Sequence, residues 1–259
     1  MSWHYVEKGQ GRPLVLLHGI GMNSEAWGPV FDRLAVQRRV IALDIPGFGK
    51  TPGFPDTVEP GPAAMVDSLG QALKALGIHE PVDLVGNSLG GRIALEAAAR
   101  GLARTVVGIS PAGLWKNQGP HHLEPLFGAM RRAYQLMPGI SETLLGTAVG
   151  RTLIMAGAVS ARGWKMPVED AVRSARLFAQ SHHFEAIFDA FRPAFSLGHQ
   201  VKVPCTIAFG DFDFVFPLGT RDRSRAPAHT RWARLPACGH VPMWDDPDRV
   251  SHLILSATH

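Results

Sequence analysis

Four short apolar runs set the rhythm of the first half of the chain. Pro13–Leu17 is stopped by His18-Gly19, and Arg39–Leu43 ends at Asp44 and a Pro46-Gly47 turn. Val82–Val85 ends at Gly86, and Thr105–Ile109 ends at Ser110-Pro111. Uninterrupted runs of this length suit strands covered on both faces, as in a parallel sheet. Helical spacing lies between them. Met65, Leu69, Leu73 and Leu76 recur at three- and four-residue steps before Gly77, and Ile93–Ala99 is rich in helix formers before Gly101. Strands alternating with helices predict right-handed βαβ units and a mostly parallel sheet.

The pattern changes near Leu114. From 114 to 198 no convincing strand is found, only helix-like stretches broken by Pro120, Pro138, Gly163 and Pro193. Met and aromatic residues are frequent there. This predicts a helical cap over 114–198, inserted into a sheet domain made of 1–113 and 199–259. Most of its large apolar residues are expected to be core of the cap, with a few facing a pocket. Strand patterning returns at Val203–Phe209 and Thr230–Leu235, and a last helix is expected over Pro247–Ser256 with Val250, Leu253 and Ile254 turned inward.

Composition narrows the class. The 259 residues are 46% hydrophobic and 19% charged, as in an ordinary globular protein. The net charge of +4 comes from arginines spread along the chain, and Arg221, Arg223 and Arg225 read as a solvated face. No nucleic-acid partner is expected. The N-terminal residues lack the apolar core of a secretory signal, and no run approaches the ~20 apolar residues that cross a bilayer. The expected location is the cytoplasm, with no membrane partner and with Cys205 and Cys238 reduced. No metal-ligand spacing is present, since neither His-Glu-x-x-His nor Cys-x-x-Cys occurs. No cofactor is expected: Gly-x-Gly-x-x-Gly and the full Gly-x-x-x-x-Gly-Lys-Ser/Thr phosphate loop are both absent.

Chemistry enters at Gly86-Asn87-Ser88-Leu89-Gly90, which fits Gly-x-Ser-x-Gly with a strand before and a helix after. A sharp strand-to-helix turn exposes the serine hydroxyl, and side chains at the two glycines would collide with the turn. A serine needs a base. His240 follows the last strand and precedes the final helix, on the sheet edge where Ser88 is expected. The adjacent pairs His121-His122 and His182-His183 point apart and suit surface or cap positions. The base needs an acid. Asp211 and Asp213 both follow the strand ending at Phe209; Asp213 is preferred, and Asp211 is read as a turn former. Leu89 N–H is expected to meet the developing oxyanion, with Ile20 N–H of the His18-Gly19-Ile20-Gly21 loop as second donor. His18 is expected to hold that loop through its ring.

These residues together resemble the α/β-hydrolase superfamily over nearly the whole chain. The carriers are His18–Gly21, Asp44–Gly49, Gly86–Gly91, Gly210–Pro217 and Gly239-His240, all in the family's order. The resemblance implies an α/β-hydrolase fold: an eight-stranded, mostly parallel sheet flanked by helices, with a helical cap. Its first strand is expected to be short or absent, because the chain begins close to the family's second strand. The resemblance also supports Ser88, Asp213 and His240 as a triad, with Ile20 and Leu89 as oxyanion donors. The form Gly-Asn-Ser-x-Gly-Gly looks like the elbow of meta-cleavage product hydrolases, which cut carbon–carbon bonds. Those enzymes usually place Trp after the histidine, where this chain has Val241. Relatives with an Asp nucleophile are disfavoured by Ser at 88. The leading expectation is a serine hydrolase of small to medium carboxylic esters, its partner a small-molecule ester. Carbon–carbon hydrolysis, lactone or thioester hydrolysis and non-enzymatic binding of a small molecule are the alternatives.

Overall fold

A computed structural model describes residues 2–156 and 159–259. Its centre is a seven-stranded sheet in the order β1-β3-β2-β4-β5-β6-β7. The strands are β1 (Tyr5–Lys8), β2 (Pro13–Leu17), β3 (Arg39–Leu43), β4 (Val82–Asn87), β5 (Ala103–Ile109), β6 (Cys205–Gly210) and β7 (Arg231–Leu235). All neighbours pair in parallel except β1, which runs antiparallel to β3. Among the described residues the sheet therefore has one strand fewer than the resemblance implied. Its opening strand is short and lies at the edge.

The uninterrupted apolar runs are explained by burial on both faces. Val15, Leu17, Ile41, Leu43, Leu84 and Val106 belong to one core, and Leu14, Leu16, Val40, Ala42, Val85 and Val107 to the other. Successive residues alternate sides, as the strand period of two requires. Helices α2 (Pro62–Ala75) and α3 (Leu89–Ala99) bury Met65, Leu69, Leu73, Ile93 and Leu95 in the first core. Helix α1 (Gly28–Ala35) and the C-terminal helix bury Val30, Leu34, Val250 and Ile254 in the second.

Between β5 and β6 the chain forms α4 (Leu123–Leu136), α5 (Pro138–Leu145), α6 (Ala148–Ala156), α7 (Val168–Gln180) and α8 (Phe184–Ala190). The C-terminal helix is α9 (Pro247–Ala257). The only pairing of strand type seen among the described residues of this insertion is a single bridge from Gln118 to Pro193. That bridge closes the neck. Phe195 N–H donates to Gly113 O at 2.8 Å, and the buried Arg92 of α3 donates to Pro193 O at 3.0 Å. Phe127, Phe178, Phe184 and Phe188 pack together inside the insertion, with Phe178 and Phe184 edge to face at 5.1 Å. No helix of the described residues is long and apolar enough to cross a membrane.

Candidate active site

The sheet brings the ends of β4, β6 and β7 to one edge. Ser88 lies between β4 and α3 with φ +53°, a left-handed backbone unusual for a non-glycine residue. The flanking glycines make this turn possible. A Cβ on Gly86 would stand 2.1 Å from Gly90 O, and one on Gly90 2.1 Å from Leu17 O. Ser88 N–H donates to Ile109 O at 2.9 Å, and Ser88 O accepts from Arg92 N–H and Ala112 N–H at 3.0 Å. The elbow is held by its backbone, leaving the side chain free for the cavity.

After β6 the loop carries Asp213, which is 2% exposed. After β7 the loop carries His240, 6% exposed. His240 Nδ1 lies 3.0 Å from Asp213 Oδ1, and Phe216 N–H donates to the same oxygen at 2.9 Å. The carboxylate can only accept here, so Nδ1 carries the proton and Nε2 is left basic. Burial pushes the Asp213 carboxyl up. The charge and hydrogen bond of His240, the Phe216 N–H and the Ser110 hydroxyl outweigh it, and the net pKa lies below the ordinary value. The Phe216 ring meets the His240 ring edge to face at 4.9 Å and limits its tilt.

The other acid of the pair has a different post. Asp211 is exposed and forms an ion pair with Arg234. Arg221 departs from the reading of Arg221, Arg223 and Arg225 as one solvated face. Its guanidinium stacks 4.1 Å over Phe209, donates to Phe216 O at 2.6 Å and stands 3.9 Å from Asp213 Oδ2. Spacing gave no hint of this, because the fold over 209–221 brings the chain back on itself.

Ser88 and His240 share the wall of a cavity of about 400 Å³. Its other walls are apolar, with Met130, Met137, Ile140, Leu144, Met155 and Phe178 from the insertion. Asn87, Tyr134, Ser141 and Ser174 are further polar groups, and among the described residues no Asp, Glu, Lys or Arg lines it. A second cavity of about 40 Å³ also touches Ser88, with Leu89 and Ile20 in its wall. The residues that carry both expected N–H donors thus stand in one cavity wall with the serine. Leu89 is the first residue of α3, whose N–H has no acceptor within its own helix.

His18 holds the Ile20 loop as expected. Its Nδ1 donates to Gly19 O at 2.7 Å, and Ile45 N–H donates to its Nε2 at 2.9 Å. Both cysteines are free and buried. Burial pushes the Cys205 thiol up to about 11 and the Cys238 thiol up to about 12, which makes thiolate chemistry beside His240 unfavourable.

A model of the alpha/beta hydrolase family matches residues 14–253. The chain belongs to the alpha/beta hydrolase family. It is a hydrolase of that superfamily, and its relatives cover several reactions. The (E)-2-((N-methylformamido)methylene)succinate hydrolase of Acinetobacter baylyi is 39% identical over 94 residues, 35% of this chain and 33% of that enzyme. The chain therefore aligns with about a third of that relative's length. The 2-hydroxy-6-oxo-6-(2'-aminophenyl)hexa-2,4-dienoic acid hydrolase of Metapseudomonas resinovorans is 28% identical over 258 residues, 97% of this chain and 86% of that enzyme. Among solved structures, the naproxen esterase (carboxylesterase NP) of Bacillus subtilis superposes with a TM-score of 0.76 at 20% identity, covering 98% and 86% of the two chains. At that identity it speaks for the fold of this alpha/beta hydrolase alone.

Two residues of the site went unread in the sequence. Asn87 is fully buried and donates its amide to His240 O at 2.9 Å and Ile109 O at 3.2 Å. Asp245, also fully buried, accepts from Gly239 N–H at 2.7 Å, Arg162 N–H at 2.8 Å, Ala161 N–H at 3.1 Å and the Ser160 hydroxyl. It ties the His240 loop to the insertion. The neighbouring Asp246 has a different task and caps α9, accepting from Arg249 N–H at 3.1 Å.

Proposed function

We propose that this alpha/beta hydrolase is a serine esterase acting on small to medium carboxylic esters through an acyl-enzyme. Ser88 is the nucleophile, His240 the base and Asp213 the residue that orients the base. The observation that carries this reading is the buried Asp213–His240 hydrogen bond, made by an imidazole that shares a cavity wall with Ser88.

The steps follow from the geometry. Ser88 Oγ attacks the ester carbonyl carbon as His240 Nε2 takes its proton. Asp213 stabilises the imidazolium. The oxyanion is met by Ile20 N–H and Leu89 N–H, each worth about 3 kcal/mol of transition-state stabilisation. The bond to the leaving oxygen breaks, and His240 returns the proton to that oxygen as the alcohol departs. Water, activated by the same base, then releases the carboxylic acid. Residues 114–198 act as a cap that keeps bulk water from the developing charge.

An uncharged, apolar cavity favours neutral esters over acids, because an anion there would lack a cationic partner. The carbon–carbon reading is the second one. It draws on the dienoic acid hydrolase relative and on Arg192, which stands in the wall of the smaller cavity. That guanidinium already faces Glu124 at 3.1 Å and Asp189 at 3.6 Å. Purified protein and its Ser88→Ala variant, assayed on p-nitrophenyl butyrate and on a ring-fission dienoate, test both readings. Ester turnover that vanishes in the variant supports the proposal. Wild-type ester turnover by the variant, or preference for the dienoate, overturns it.

A further inference from the structure

The two cavities meet at Ser88 and differ tenfold in volume, about 400 Å³ against about 40 Å³. Ser88, Ile20 and Phe127 stand in both walls, so the serine and the expected oxyanion loop lie at the junction. His240 lines only the larger one. We propose that the substrates are esters of a bulky apolar alcohol with a short acyl group, the alcohol in the large cavity and the acyl group in the small one. This inference rests on the esterase reading and adds to it which end of the ester is large.

The orientation follows from proton bookkeeping. In the tetrahedral intermediate the carbonyl carbon bears the serine oxygen, the oxyanion, the acyl substituent and the leaving oxygen. Only the leaving oxygen must receive a proton, and His240 is the group that gives it. The alkoxy group must therefore project on the His240 side, into the large cavity. With the oxyanion turned to Ile20 and Leu89, the acyl substituent is left to the small cavity, whose wall His240 does not join. There it meets Ala112, Leu123, Phe188, Phe191 and Phe216, with the ion-paired Arg192 at the rim.

Size then decides specificity. A volume of about 40 Å³ holds a group of roughly three heavy atoms, since one water needs about 10–15 Å³ of such space. Acetyl to butyryl groups fit, and longer acyl chains require the walls to move. The large cavity lies within the usual range for small-molecule sites. It also reaches the surface of the insertion, because Met137, Ile140 and Leu144 line it while remaining about half exposed. A long alcohol chain can extend past them. Its walls are aliphatic, aromatic and thioether groups with few polar atoms, which suits an apolar alcohol better than a sugar.

Octyl acetate and methyl nonanoate test this directly. They contain the same atoms and differ only in which side of the ester is long. Initial rates are read by proton release. The expected result is a kcat/KM for octyl acetate about tenfold or more above that for methyl nonanoate, because one misplaced methylene already shifts specificity by that order. Equal rates, or preference for methyl nonanoate, overturn the orientation and leave the esterase reading standing. Hydrolysis of neither, with Ser88 unlabelled by a fluorophosphonate, overturns both. Phe188→Ala, at a half-buried position in the small cavity's wall, should raise the ratio of octyl hexanoate to octyl acetate turnover. An unchanged ratio in that folded variant also counts against the assignment.

Discussion

The side-chain amide of Asn87 donates to the backbone carbonyl of His240 across 2.9 Å. The residue before the serine thus carries the loop that bears the imidazole. The same amide reaches Ile109 O at the end of β5. One side chain locks three parts of the site together: the elbow, the neighbouring strand and the loop after β7.

Asn87→Ala should therefore lower kcat with little change in KM. A misplacement of the base of about 1 Å can cost on the order of 100-fold in rate. The orphaned carbonyls should also lower stability by about 1–3 kcal/mol. Steady-state kinetics on a short p-nitrophenyl ester and a urea titration read the two effects. A kcat within twofold of wild type would show that the loop is held without Asn87.

Asp213 and Asp211 should separate cleanly. Asp213→Asn is expected to cut kcat by about 10⁴-fold, the size seen when a triad aspartate is replaced so that the histidine tautomer is wrong. Asp211→Asn loses the charge of a surface ion pair with Arg234 while its side-chain oxygen can still accept from Ala237 N–H, and it should stay within about twofold, in keeping with the small worth of such pairs. Similar losses in both variants would contradict the assignment of Asp213 as the acid.

The sequence was legible where burial leaves a periodic trace. The strands β2 and β3 matched their apolar runs end to end, since both faces are covered. The elbow was legible because its glycines are forced by contact distances. The strand β1 had no pattern of its own to read, because Tyr5–Lys8 is exposed throughout and leaves no apolar signature; only the family resemblance pointed to a short first strand. Helix α1 was missed because it opens on Gly28-Pro29, which reads as a turn. Proline there costs nothing, since the N–H at that position has no intrahelical acceptor. Asn87, Asp245 and Arg221 act through partners tens of residues away or across a folded-back loop, and such pairings have no period to read.

Asp245 should matter for stability more than any surface acid. Its carboxylate collects three backbone N–H groups and a hydroxyl away from water. In Asp245→Ala these donors lose their acceptor, and the loss should reach about 3 kcal/mol or more. Because Gly239 precedes the histidine, kcat should fall as well. Chemical denaturation of the folded variant measures the first effect. A midpoint unchanged from wild type would mean that the donors find other acceptors.

His18 makes a pH-dependent contribution whose sign is fixed by its partners. Gly19 O only accepts, so Nδ1 carries a proton, and Ile45 N–H points at Nε2, so Nε2 does not. A second proton has no place in the folded ring. Burial lowers the pKa of His18, and although Gly19 O and the Asp44 charge act the other way, the net lies below the ordinary value. A histidine with a depressed folded pKa stabilises the fold above its unfolded pKa of about 6.5, and that contribution is lost as pH falls through the folded value. The unfolding free energy should therefore decline from pH 6.5 downward, with a slope from this group of at most about 1.4 kcal/mol per pH unit. In His18→Gln, which has no proton to bind there, the decline between pH 6.5 and 5 should be shallower by that amount. Parallel curves for the two proteins would show that His18 accepts its second proton within the native loop.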